Sequence, residues 1–241
     1  MNDIYVVGTD TGVGKTVLSL LLMQFFFERG RQPFYFKPLQ TGCLDAHDKD
    51  SDAVFIYRNV GALKDKDPSE SVGYCFREPK APYFAARNEG RDIDLQYMNG
   101  MIEEKSRLYD PVILEAAGGL MVPVTEEVMM IDTVFSGAKV LLAARAGLGT
   151  INHTMLSIEA LRQRGISPAG VVFLDPAGTV PEMIAENMEA VERYTGIKVA
   201  GVIGKIEDFS RPPQECFHPL EFLFPSGVLC NTEPDPLSPT R

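Results

Sequence analysis

Gly8-Thr9-Asp10-Thr11-Gly12-Val13-Gly14-Lys15-Thr16 holds the residue types that a polyphosphate needs. Glycines let backbone N–H groups converge on phosphate oxygens with no Cβ in the way. A lysine after the last glycine, Lys15, reaches the β- and γ-phosphates, and the next hydroxyl, Thr16, ligates Mg²⁺. Thr11, Gly12, Val13, Gly14, Lys15 and Thr16 are therefore the candidate nucleotide-binding segment. The pattern is not strict: Thr9 fills the slot of the usual first glycine, and Gly8 stands one position earlier. An ordinary strand-to-helix turn with an exposed lysine is the plainer alternative.

Two further places add chemistry. In Glu115-Ala116-Ala117-Gly118-Gly119 an apolar strand ends in a carboxylate and small residues follow. That is the layout of a strand-end acid meeting the Mg²⁺ beside a phosphate loop, with Gly118 allowing a ligand close. Pro33-Phe34-Tyr35-Phe36-Lys37-Pro38 reads as an aromatic strand that ends in a lysine, and Thr41 lies in the next loop. In open parallel sheets ligands sit at the carboxyl ends of strands, which puts Lys37 and Thr41 on the phosphate-loop edge. Asp45, Asp48, Asp50 and Asp52 read as a solvated loop and helix start, or as a source of one carboxylate for the metal. Asp52, at the start of a helix, is held better than the others.

These residues need elements to place them. The apolar run Ile4 to Val7 reads as a buried strand, and a helix from Val17 ends near Gly30. Further strands are expected at Gly73–Phe76, Val112–Glu115, Ala138–Ala144, Ala169–Leu174 and Val199–Ile203, with Leu39–Cys43 as a loop. Helices are expected near Ser51, after Pro82, over Leu95–Leu108, at Ile131–Phe135, from a Thr150 N-cap to Arg164, and over Pro181–Tyr194. Strands alternating with helices argue an α/β fold: a mostly parallel sheet covered on both faces. One domain is expected over 1–224, with an irregular Pro-rich tail over 225–241. The N–H groups near Ile151 to His153 offer a second anion site.

Composition narrows the class. A net charge of −10 argues against general nucleic-acid binding. No basic segment leads an apolar run at the N-terminus, and no apolar run has the length of a membrane span. Cys43, Cys75, Cys216 and Cys230 are scattered, which suits reduced thiols in the cytoplasm.

With these landmarks, residues 3 to 204 resemble the dethiobiotin synthetases and their P-loop NTPase-like fold. The motifs that carry the likeness are Gly8 to Thr16, Lys37-Pro38-Leu39-Gln40-Thr41-Gly42, Ser51-Asp52-Ala53, Glu78-Pro79-Lys80-Ala81-Pro82, Glu115 to Gly119 and Leu148-Gly149-Thr150-Ile151-Asn152-His153. The resemblance implies an ATP- and Mg²⁺-dependent cyclo-ligase that joins CO₂ to 7,8-diaminopelargonic acid through a carbamate and its phosphoric anhydride. It implies Lys15 and Lys37 as catalytic cations, Thr16, Asp52 and Glu115 as metal ligands, and Thr41 as a substrate contact. It also implies a homodimer whose sites lie at the interface, with Thr150, Ile151, Asn152 and His153 of one subunit holding the substrate carboxylate of the other.

Two departures fall on the nucleotide base. Leu174 stands where the family usually has a base-reading Asn, leaving Asp175 as the polar neighbour, and Gly204-Lys205-Ile206-Glu207 lacks the family's proline. Loose base selectivity is the expectation. A paralogue acting on another amine is the alternative. So is a partitioning-type ATP switch, although Asp10 occupies the place of that class's signature lysine.

Overall fold

The computed structural model describes residues 3–135 and 137–225; the Pro-rich tail beyond Pro225 and Cys230 lie outside the described residues. Seven strands form one parallel sheet: β1 Ile4–Gly8, β2 Phe34–Thr41, β3 Val72–Phe76, β4 Val112–Glu115, β5 Lys139–Arg145, β6 Gly170–Leu174 and β7 Val199–Ile203, in the order β3-β2-β4-β1-β5-β6-β7. The fold class is as expected. The central strands are apolar because both faces are covered: every residue of β1, β4 and β6 is buried.

Alternation along the strands assigns the two faces. Ile4, Val6, Tyr35, Ile113, Leu141 and Val172 pack beneath α1 (Lys15–Glu28), α2 (Asp52–Asn59) and α7 (His218–Leu223). Tyr5, Val7, Phe36, Leu114, Leu142 and Phe173 meet α3 (Pro82–Asn88), α4 (Leu95–Leu108), α5 (Thr150–Arg162) and α6 (Pro181–Thr195) on the other side. α1 is apolar almost all round and lies entombed; Leu20, Leu21, Leu22 and Phe25 are fully buried. Truncating one of these leucines to alanine costs about 2–5 kcal/mol.

Several boundaries differ from the sequence reading. β2 does not stop at Lys37; it runs through Pro38 to Thr41, so Leu39–Thr41 is strand and not loop. Its two neighbours are staggered: β4 pairs with it at Phe34 to Phe36, and β3 takes over from Lys37↔Val72 to Thr41↔Phe76. Pro38, with no N–H to give, sits between the paired positions Lys37 and Leu39. α1 begins at Lys15 rather than Val17. Gly149, at φ 90, is the N-cap of α5, so Thr150 is the first helical residue and its hydroxyl meets Thr154 Oγ1 at 3.2 Å instead of capping. Only glycine takes that left-handed turn without strain. The short helix expected at Ile131–Phe135 is a 3₁₀ turn over Met130–Thr133.

Candidate active site

β1 ends at Gly8 and α1 starts at Lys15, so residues 9–14 form a loop at the carboxyl edge of the sheet. Gly14 is the tightest point. Its φ is 96, and a Cβ there would lie 2.6 Å from Leu174 Cγ. Both the backbone and the space exclude a side chain. Thr11 N donates to Asp10 Oδ1 at 2.7 Å, and Lys15 Nζ donates to the Asp10 carbonyl at 2.9 Å, folding the lysine back over the loop.

The other predicted residues gather beside it. Phe36 is level with Leu114, so the next residues, Lys37 and Glu115, also lie side by side. Lys37 Nζ reaches Glu115 Oε1 at 2.8 Å and also pairs with Asp52. The Thr16 hydroxyl lies 3.0 Å from Asp52 Oδ1 and 2.9 Å from Glu115 Oε1. Asp52 is placed by the start of α2, where its N–H donates to Gln40 Oε1 at 3.3 Å. Lys15, Thr16, Lys37, Asp52 and Glu115 therefore form one polar nest in which Lys15, Lys37 and Glu115 are buried.

Sequence reasoning missed one member. Tyr35 donates to Glu115 Oε2 at 2.9 Å. It stands two residues before Lys37, hence on the same face of β2. That period of two was the available signal.

The electrostatics follow from burial and company. Burial pulls the Lys15 ammonium down to about 8, and the like charge of Lys37 adds to the effect. Burial also opposes charge on Lys37, but Glu115 and Asp52 outweigh it and hold the ammonium above the usual lysine range. Burial raises the Asp52 carboxyl, and Lys37 with the Thr16 hydroxyl more than offsets this, leaving it below the usual carboxylate range. Tyr35 is driven well above the ordinary phenol by burial and by Glu115. The nest thus keeps one cation firmly charged and another easily discharged.

The oxygen set fits a small hard cation. Mg²⁺ bonds of about 2.0–2.1 Å at right angles put neighbouring ligand oxygens about 2.9 Å apart. Thr16 Oγ1 stands at that spacing from both carboxylates, at 3.0 and 2.9 Å. Among the described residues no three His, Cys, Asp or Glu gather as a complete cage. Mg²⁺ does not need one, since it keeps waters and takes substrate phosphates.

A cavity of about 540 Å³ opens beside the phosphate loop, lined by Gly12–Gly14, Arg145, Leu174, Asp175, Lys205 and Phe209 among others. Its size suits a nucleoside. Asp175 lines it, but both its oxygens are engaged, by Thr179 N at 2.8 Å and Thr179 Oγ1 at 2.7 Å. Gly118, at φ 69, backs onto the loop, with Thr11 Oγ1 3.5 Å from where its Cβ would be.

The remaining predicted residues stand apart from the nest. Thr41 ends β2 at the same edge, half-buried. Thr150, Ile151, Asn152 and His153 make the first turn of α5, also at that edge, with Asn152 and His153 exposed. No hydrogen bond or ion pair among the described residues joins them to Lys37, Asp52 or Glu115. Among the described residues no helix is long and apolar enough to cross a membrane.

Similarity to known proteins extends over most of the chain. A family model described as an AAA domain matches residues 2–213. The chain is 36% identical over 215 residues to the ATP-dependent dethiobiotin synthetase BioD of Lysinibacillus sphaericus (strain C3-41), covering 87% of this chain and 90% of that one. It is 34% identical over 212 residues to the same-named protein of Anaeromyxobacter sp. (strain Fw109-5), covering 87% and 93%. Among solved structures it resembles the MinD cell division protein of Aquifex aeolicus, with a TM-score of 0.58 over 92% of this chain and 95% of that one. At 14% identity that likeness speaks to the fold alone.

Proposed function

The chain belongs to the ATP-dependent dethiobiotin synthetase family, and we propose that its phosphate-loop nest carbonylates 7,8-diaminopelargonic acid with CO₂ and ATP, closing a cyclic urea. Membership makes it an ATP-dependent ligase of biotin biosynthesis. The observation that carries the residue assignment is the convergence of Thr16, Lys37, Asp52 and Glu115 within hydrogen-bonding reach of one another beside Lys15.

One substrate amine adds to CO₂ and loses a proton, giving a carbamate. A carbamate oxygen attacks the γ-phosphorus and ADP leaves. The second amine then attacks the carbonyl carbon, expels phosphate, loses a proton and closes the ring. The carbamate and the γ-phosphoryl group are both anionic and must be brought together, so fixed cations there lower the barrier. Lys15 reaches the β- and γ-phosphates from the start of α1. Lys37, kept charged by its two carboxylates, faces the carbamate and the transferring phosphoryl group. Thr16, Asp52 and Glu115 would hold Mg²⁺, which would supply positive charge against the phosphates during transfer. The loop from Thr11 to Gly14, with Gly118 behind it, cradles the phosphates, and Asp175 borders the base. Thr41 offers a hydroxyl to the diamine. No side chain is assigned as a general base; holding amine and anhydride in line supplies the rate.

Thr150 to His153 begin α5 with free backbone donors suited to the substrate carboxylate. In this reading the carboxylate comes from the site of a second subunit, and the enzyme is a homodimer. One domain spans 1–224, a reach supported by the family match over 2–213. The cytoplasm is the proposed location, consistent with Cys43, Cys75 and Cys216 as free thiols.

The test is direct. Purified protein given diaminopelargonate, bicarbonate, ATP and Mg²⁺ should release dethiobiotin, ADP and phosphate in equal amounts. ADP release that is independent of the diamine, or that requires a different diamine, overturns the reading.

A further inference from the structure

We propose that Arg145 is a nucleotide-positioning residue that binds the α-phosphate. The inference rests on the ATP-dependent reading above. β5 lies between β1, whose end opens the phosphate loop, and β6, whose end walls the base cavity. Gly8 is level with Ala143, and Leu174 is level with Arg145. The last residue of β5 therefore stands between the phosphate site and the base site. In a nucleotide the α-phosphate is the group that spans that gap.

The side chain points the right way. Arg145 Nη2 donates to the Thr11 carbonyl at 3.2 Å and lies 3.9 Å from where a Cβ on Gly12 would be. It lines the cavity. The other charged side chains on that wall are engaged: Asp175 by Thr179 at 2.8 and 2.7 Å, and Lys205 by Glu207 at 2.6 Å. Among the described residues no carboxylate pairs with Arg145, whose only hydrogen bond is the one to Thr11. A guanidinium has five N–H donors in a fixed fork, so most remain for an anion. Arg145 is exposed, and its removal leaves no buried partner uncompensated.

The experiment separates three roles. In Arg145→Ala the KM for nucleotide should rise about tenfold or more, by the same factor for ATP, CTP and GTP, and more than kcat falls. AMP should lose potency as an inhibitor, while adenosine, which lacks the phosphate, should not. Arg145→Lys should restore part of the loss, since a point charge replaces the fork. An unchanged KM overturns the proposal. So does a loss confined to one base or shared by adenosine, which would place Arg145 on the base. So does a loss for ATP with AMP inhibition intact, which would make Arg145 a brace for the loop. A wild-type enzyme that makes no dethiobiotin fails the underlying reading instead, and binding of AMP against adenosine still reports on Arg145.

Discussion

Lys37 Nζ and Glu115 Oε1 lie 2.8 Å apart, and both side chains are buried. The pair exists because β2 outruns β4: the strands match up to Phe36↔Leu114, and the next residue on each is charged. A buried pair of this kind is strongly destabilised when one partner is removed, by about 3–5 kcal/mol, because the other charge is left alone. In Lys37→Ala the orphaned partners are Asp52 and Glu115, the two carboxylates assigned to Mg²⁺. The variant should unfold at lower temperature than wild type in the absence of Mg²⁺ and recover much of the difference when Mg²⁺ is added. Its kcat should fall by about a thousandfold while nucleotide affinity changes by less than about tenfold. Comparable losses in turnover and in nucleotide binding, the latter measured by calorimetry, would contradict the role given to Lys37.

Lys15 makes folding and nucleotide binding respond to pH in opposite directions. Its ammonium is brought from 10.5 down to about 8 by burial and by Lys37. Between those two values the unfolded chain holds the proton and the folded chain does not. This group therefore favours folding increasingly as pH rises through that window. Nucleotide binding runs the other way, because the phosphates need the cation. Affinity for ATP should decline above about pH 8, and binding near pH 8.5 should take up a proton. Titration calorimetry in buffers of different ionisation enthalpy counts that proton. No uptake, with affinity flat to pH 9.5, would contradict the lowered value.

The oxygen nest can be dissected by metal titration. Glu115→Gln keeps the size of the side chain and the Thr16 contact but removes charge. The Mg²⁺ concentration giving half-maximal turnover should rise by about tenfold to a hundredfold, and Asp52→Asn should behave alike. Tyr35→Phe removes only the hydrogen bond to Glu115 Oε2. A partner that orients a metal ligand is worth about tenfold or more in metal affinity. Tyr35→Phe should therefore shift the Mg²⁺ requirement without changing nucleotide affinity in excess metal. An unaltered Mg²⁺ curve in all three variants would remove these carboxylates from the metal site.

Much of this nest was legible in the chain, because its parts are marked locally. Gly12, Gly14, Lys15 and Thr16 announce themselves by type and spacing, and Glu115 by ending an apolar run before two glycines. Lys37 was found by a strand-end argument that misplaced it: it is mid-strand, and its neighbour β4 is the strand that ends. Tyr35 and Arg145 escaped because their roles depend on register between strands far apart in sequence. Thr150 looked like a cap, since threonine often is one, but Gly149 takes the left-handed turn that starts α5. No element was expected between Gly61 and Ser71, because the two short 3₁₀ turns there, Gly61–Leu63 and Pro68–Ser71, carry little periodicity.

Association through α5 is open to test. Asn152, His153 and Leu156 are exposed together, and Leu156 keeps 62% of its surface in solvent. Residues three and four apart share a helix face, so the first turn proposed to hold the carboxylate continues into an apolar contact. Light scattering should report a dimer. Leu156→Glu should weaken it and lose turnover in proportion to the monomer formed, while each monomer still binds ATP at its own phosphate loop. A wild-type monomer with full activity would reject the shared site.

Base choice follows from what Leu174 and Asp175 are doing. Leu174 is packed against Gly14 and offers nothing to a base edge. Asp175 could accept from an exocyclic amine, but Thr179 already donates to both its oxygens. Strong discrimination between bases needs a buried polar group that only the right base satisfies; apolar fit alone yields modest ratios. The kcat/KM values for ATP, CTP and GTP should therefore agree within about tenfold. Thr179→Val removes the donor to Oδ1 and leaves that oxygen to the cavity. Bases carrying an amino group should then gain on UTP, because an unpaired buried carboxylate oxygen is costly and an amine relieves it. A wild-type preference for ATP of a hundredfold or more would show that some other group reads the base.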